Sequence, residues 1–293
     1  MGILGVKYPN INAKLKGMHA KRITKNDLED LIKQNNLKNA VLLLKSKSDI
    51  FKNSDENIDR LEIESLLEKD QINDILKIQG LLKDNDKEMF EIFLLKYEIK
   101  CIKSIFRKIF SQNNEDDIIV KNVKKWTETL FEDIKGIETV KTLEEFFLAI
   151  KRMKYHNILK KYQEQENINV FEVENEIDKL YFETLYDKVK NDASSKKIIG
   201  SEIDLLNVLW IFRIKKYYKF EIQQLKKILI KRYYKLNPNM LNKIIGANTF
   251  EELKEIMEKT VYSKIFTEES ELEDNINTYL YNINKKIFKN EIT

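Results

Sequence analysis

Apolar residues return every three or four positions along almost the whole 293-residue chain, the period of helices that bury one face. Only seven glycines and two prolines punctuate it, too few for the turns that a hairpin-rich protein needs. The pattern predicts an all-α fold. Its helices are parted by short polar breaks at residues 53–57, 84–86, 111–117, 191–197 and 236–239, none long enough for a flexible interdomain linker.

The most apolar stretch, "SEIDLLNVLWIFRIKKYY" from Ser201 to Tyr218, carries three polar residues in its midst: Asp204, Asn207 and Arg213. Its longest apolar block, Leu205 to Phe212, is interrupted by Asn207 and is less than half of the roughly 20 residues that a membrane span requires. A buried helix of a soluble protein is therefore expected. At 100° per residue Asp204 and Asn207 share a stripe, while Arg213, nine positions beyond Asp204, faces the opposite side. The three cannot form one site on their own helix. Taken as buried, the Asp and the Arg must each find a partner on another element, because an unpaired buried charge is costly.

Internal similarity organises the chain. "TLEEFFLAIKRMKY" from Thr142 and "TFEELKEIMEKTVY" from Thr249 share their Thr, both Glu residues and the closing Tyr at an offset of 107. "YEIKCIKSIFR" from Tyr97 and "IDLLNVLWIFR" from Ile203 share an acid (Glu98, Asp204), an Ile and a terminal Phe-Arg (Arg107, Arg213) at an offset of 106. In a more degenerate third copy, "YPNINAKLKGM" sets Tyr8 and Asn12 at the spacing of Tyr97 and Cys101, and "NNLKNAVLLLKSKS" from Asn35 replaces the Thr-led helix. The chain reads as three related helical modules, residues 1–85, 86–190 and 191–293, each of a size that suits a small domain. Thr142 with Glu145 and Thr249 with Glu252 are capping boxes: the hydroxyl accepts from a backbone N–H and the carboxylate reaches back to the cap.

Chemistry finds little support. A phosphate loop needs clustered glycines before Lys and Ser or Thr, whereas Gly136, Gly200 and Gly246 are isolated and read as caps or turns at helix boundaries. His19, His156 and Cys101 are too few and too scattered for a metal centre, and Cys101 reads as a buried, unreactive thiol. With one cysteine there is no internal disulfide. Paired acids such as those in "FEVENEIDKL" read as solvated faces or intrahelical ion pairs. No cofactor, catalytic group or small-molecule substrate is expected. The N-terminus lacks an apolar h-region and a small-residue cleavage site, which predicts a cytoplasmic protein.

Charge adds one feature. The net charge of +4 is weakly basic, but Arg213 to Lys235 holds Glu221 as its only acid, with tyrosines interleaved. Nucleic-acid binding would use cations and aromatics this way. A solvated amphipathic face is the preferred reading, and contact with an acidic protein partner through Lys226, Lys227 and Lys231 would use the same charges.

The order and spacing of "YPNINAKLKGMHAKRI", "LLKYEIKCIKSIFR", "SEIDLLNVLWIFR" and the Thr-led helices resemble the C subunit of the V-type and A-type rotary ATPases, whose eukaryotic relative is the V-ATPase d subunit. The resemblance covers most of the chain. It implies an all-helical funnel of three pseudo-threefold modules with a central cavity. Such a funnel is a noncatalytic rotor part on the cytoplasmic face, peripheral to the membrane. One end would receive the D and F subunits of the central stalk, and the other would sit on the membrane proteolipid ring, with no nucleic acid involved. Asn12, Glu98, Arg107, Asp204, Asn207 and Arg213 fall on the family's pattern, while Cys101 replaces its usual Asn. Relatives commonly continue through a further helical pair after the point where this sequence reads "KKIFKNEIT". The rival readings are a helical-repeat interaction scaffold and, third, a basic nucleic-acid-binding protein.

Overall fold

A computed structural model describes residues 9–110, 134–165, 167–217 and 220–292. Tyr8, Tyr218 and the polar break at 111–117 lie outside the described residues. The described residues are helical and turn segments, with no strand among them.

Contacts gather the described chain into two compact units, the first holding residues 9–98, 134–138 and 291–292, the second residues 99–110 and 139–290. In the first unit the helices are α1 (Pro9–Ala20), α2 (Lys25–Ile32), α3 (Leu37–Lys47) and α4 (Arg60–Gln79), followed by the start of α5 (Asp84–Phe110). Side-chain caps set where these helices begin. Thr24 and Asp59 form reciprocal capping boxes with Asp27 and Glu62, and the Asn36 side chain accepts from the Asn39 N–H. Val41, Phe51 and Ile58 form one core cluster, and Ile11, Ile78 and Leu82 form another. The "DND" segment is the first turn of α5 rather than a break.

The second unit contains the end of α5, then α6 (Leu143–Ala149), α7 (His156–Leu159), α8 (Val170–Val189), α9 (Ala193–Tyr217), α10 (Ile222–Ile228), α11 (Pro238–Gly246), α12 (Phe250–Met257) and all but the last two residues of α13 (Leu272–Ile292). Helices α8 and α9 pack against each other across the turn at 190–192, and α10 and α11 pack on α8 and α9 respectively. The stretch from Ser201 to Tyr217 lies within the 25-residue α9, whose buried residues include Ile203, Leu205, Val208 and Ile211. A short order of elements occurs twice in this unit. A long helix carries Phe-Arg in its last two turns, and a Thr-capped helix packs a phenylalanine on it: Phe106 on Phe146 with centroids 5.1 Å apart, Phe212 on Phe250 at 5.8 Å. A fully buried tyrosine follows, Tyr155 or Tyr262, and then a further long helix, α8 or α13.

The two Thr caps differ in one detail. At Thr142 the Glu145 carboxylate accepts from Lys141, one residue earlier, at 2.8 Å and also from the cap's own N–H at 3.3 Å, completing the box. At Thr249 the hydroxyl accepts from the Glu252 N–H at 3.1 Å, but the Glu252 carboxylate accepts from Asn248, one residue earlier, at 2.7 Å. Thr142→Ala and Thr249→Ala are each expected to lower stability by about 1 kcal/mol in urea denaturation, with Ser at either position retaining most of it.

Candidate functional site

Between α10 and α11 the chain crosses residues 229–236 without helix or strand, yet Leu229, Ile230 and Leu236 are buried. Buried backbone polar groups need partners, and α9 supplies them from one stripe of its surface. Asn207 Oδ1 accepts from the Ile230 N–H at 2.9 Å and its Nδ2 donates to the Ile230 carbonyl at 3.1 Å. One turn nearer the N-terminus, Asp204 accepts from the N–H groups of Tyr234, Lys235 and Leu236 at 3.2, 2.7 and 3.1 Å. The buried Tyr262 hydroxyl donates to the same carboxylate at 2.8 Å. Asp204 and Asn207 are 1% and 0% exposed, so these bonds replace all of their hydration.

Gly200, one turn further back, completes the stripe. A Cβ placed there would lie 2.6 Å from the Tyr234 Cβ, so only glycine lets the segment come this close. Gly200 lies inside α9, not at a helix boundary as the sequence suggested. Its role is close packing.

Burial pushes the Asp204 carboxyl above the usual carboxylate range, while the three N–H groups and the phenol pull it part of the way back. Burial, reinforced by the Asp204 charge, drives the Tyr262 phenol far up, so it remains a donor.

Arg213 sits apart from this stripe, as its helical phase requires. It is exposed rather than buried, a correction to the expectation, and its guanidinium pairs with Glu273 on α13, Nε donating at 3.0 Å. The equivalent Arg107 is also exposed and pairs in two-pronged fashion with Glu174 on α8, its Nη2 donating at 2.7 Å. A second pair, Lys103 to Asp178 at 2.7 Å, repeats the contact one turn away and sets α5 antiparallel to α8 there. Long aliphatic stems let such cations tie two helices together from the solvent side.

The remaining candidates are dispersed. Asn12 lies on α1, and its Oδ1 is buried with no hydrogen-bond partner among the described residues. Glu98 is partly buried on α5, and Cys101 is fully buried there, as a packed thiol would be. In the basic stretch, Lys215 donates to the Ile245 carbonyl at 2.6 Å and to that of Ala247, closing the end of α11. Lys216 pairs with Glu269 at 2.5 Å, and Arg232 with Asp187 at 2.5 Å. Lys226, Lys227 and Lys231 are exposed, with no ion pair among the described residues. Sequence reasoning missed Gly200, Tyr262 and the segment that they hold. The recurring Tyr marked position 262, but nothing local paired it with Asp204, 58 residues away.

The profile of the ATP synthase (C/AC39) subunit family matches residues 11–292, nearly the whole chain. The chain belongs to this family. Among curated relatives, the A-type ATP synthase C subunit of Pyrococcus furiosus is 25% identical over 215 residues, covering 71% of this chain and 56% of the relative. The C subunit of Desulfurococcus sp. strain SY is 24% identical over 217 residues, covering 71% and 57%. That of Methanosarcina barkeri is 26% identical over 144 residues, covering 47% and 39%. The aligned part thus spans about half the length of these C subunits. No helix among the described residues of this C/AC39 member is long and apolar enough to cross a membrane.

Because the folded Asp204 carboxyl lies above its unfolded value, its contribution is fully present below the unfolded pKa and is lost as pH rises through the folded one. Asp204→Ala orphans the N–H groups as well, so it should cost about 3 kcal/mol at neutral pH, by urea denaturation. The cost should grow as pH falls toward about 4; a cost that shrinks would mean that the folded carboxyl titrates below its unfolded value. Gly200→Ala should cost about 1–3 kcal/mol at any pH by overpacking against Tyr234.

Proposed function

We propose that this C/AC39 member is the noncatalytic central-rotor subunit of a V-type/A-type ion-translocating ATPase, peripheral on the cytoplasmic face. It joins the D and F subunits of the central stalk to the membrane proteolipid ring. The observation that carries the reading is the family match over residues 11–292, together with relatives named as A-type ATP synthase C subunits. In this reading the three modules, 1–85, 86–190 and 191–293, surround a central cavity as a funnel. The element order found twice in the second unit supports a modular construction. A coupling element has to pass torque without shearing, and helices tied by side-chain pins and ion pairs suit that task. Asn12, Glu98, Cys101, Arg107, Asp204, Asn207 and Arg213 act in it as structural residues.

Co-expression with the D, F and ring subunits of the same complex tests the reading. The chain should co-purify with them, and its omission should leave ATP hydrolysis by the soluble head while abolishing ATP-driven ion transport. A chain that stays monomeric, or transport that persists without it, overturns it. Lys226, Lys227 and Lys231 are proposed to face acidic groups of a partner. Replacing all three by Glu should weaken assembly about tenfold, more so at low salt, with no change in unfolding midpoint.

A further inference from the structure

Helix α1 carries its apolar residues on one side. Ile11 joins Ile78 and Leu82 in a core cluster, with Leu15, Met18 and Phe90 packed against it. At 100° per residue Ala13, Gly17 and Ala20 lie on the side facing away from that cluster, and all three are exposed. A Cβ placed on Gly17 would meet nothing within 4 Å, so the backbone itself is open to an approaching neighbour there. Lys14 and Lys21 border this side along one flank and Lys16 along the other, each of them exposed. The Lys21 N–H donates to the Met18 carbonyl at 3.2 Å, which carries the helical winding past Ala20.

Charge is segregated on this segment. From Pro9 to Asn26 there is no acid, while Lys14, Lys16, Lys21, Arg22 and Lys25 supply cations. Lys25 pairs with Glu29 at 3.6 Å; the other four make no ion pair among the described residues. The acids close by are already taken. Asp27 is held by Lys47 at 2.8 Å, and Asp49, whose carboxyl feels the charge of Lys21, is held by Lys52 at 2.6 Å. A row of cations without a neutralising partner draws an acidic one.

The placement of the lysines says which kind. The steps of four and three residues from Ala13 to Gly17 to Ala20 are those of a two-helix seam. On that count Lys14, Lys16 and Lys21 fall at the e and g positions, where a paired helix carries the opposite charge. An anionic membrane surface suits the segment less well, because a helix lying on lipid buries its apolar side there, and the apolar side of α1 is spent on the core.

We infer that the outer side of α1 docks an α-helix of another protein of the complex. Acidic side chains on both flanks of that helix meet Lys14 and Lys21 on one side and Lys16 on the other. Two turns are too short to hold a partner unaided, so this is one grip among those of the assembled complex. The inference rests on the reading of the chain as part of an ATPase complex, and adds a second place and a chemistry by which a partner is held, apart from the lysines of α10.

Three measurements on the full co-expressed complex test it. Lys14→Glu, Lys16→Glu and Lys21→Glu together should lower the affinity of the chain for the rest of the complex about tenfold or more, less so at high salt, with no drop in its own unfolding midpoint. Gly17→Leu fills the open space without touching the core. The isolated chain should be no less heat-stable, since leucine favours a helix over glycine, while its affinity for the complex again falls about tenfold. Finally, p-benzoylphenylalanine replacing Ala20 should cross-link under light to one helix of another protein of the complex, and replacing the acids of that helix by Lys should restore assembly of the triple variant. The inference is overturned if either variant assembles with unchanged affinity, or if the cross-link is absent, internal, to a second copy of this chain, or to lipid when phosphatidylserine vesicles are present; the rotor reading survives these outcomes. Failure of the wild-type chain to assemble at all overturns both.

Discussion

The second unit depends on one arrangement: a helix side holding a stretch of chain that has no secondary structure of its own. Residues 229–236 bring Leu229, Ile230 and Leu236 into the core, and their backbone would enter it unsatisfied but for Asp204 and Asn207. Each partner answers a different need. The amide of Asn207 meets both polar groups of a single residue, whereas the carboxylate of Asp204 gathers three successive N–H groups and a phenol. Gly200 is the steric condition for both, since the hydrogen bonds form only if Tyr234 can approach α9. Remove the polar pair and the segment has unpaired N–H groups indoors; fill the glycine and it cannot come in.

The exposed arginines work differently. Arg107 and Arg213 sit in the last two turns of their helices, just after phenylalanines that pack on Thr-capped helices, and each reaches a glutamate near the start of a later long helix. Exposed ion pairs contribute little apiece. Their value here is orientation: Arg107 with Glu174 and Lys103 with Asp178 fix the register of one helix along another.

Much of this was legible along the chain. The scarcity of glycine and proline announced helices, and Thr-x-x-Glu announced where two of them begin, because capping is settled by residues within one turn. Helical phase separated Asp204 and Asn207 from Arg213 for the same reason. The burial of Arg213 was misjudged because its apolar neighbours occupy other faces of the helix, and a long side chain at a helix end can reach water past them. Gly200 was misread as punctuation, since local sequence does not distinguish a glycine that ends a helix from one that admits a neighbour.

By itself the sequence determined what local backbone chemistry and periodicity can encode: helix identity, caps, the stripe shared by Asp204 and Asn207, and a pattern of recurrences sufficient to suggest the family. Only the tertiary structure decided which backbone groups those side chains hold and which carboxylates the arginines reach. The reason is separation along the chain. Asn207 meets Ile230 across 23 residues, Asp204 meets Tyr262 across 58, and Arg107 meets Glu174 across 67. Such partners are chosen by packing the whole unit, and no window of a few helical turns contains both halves of the bond.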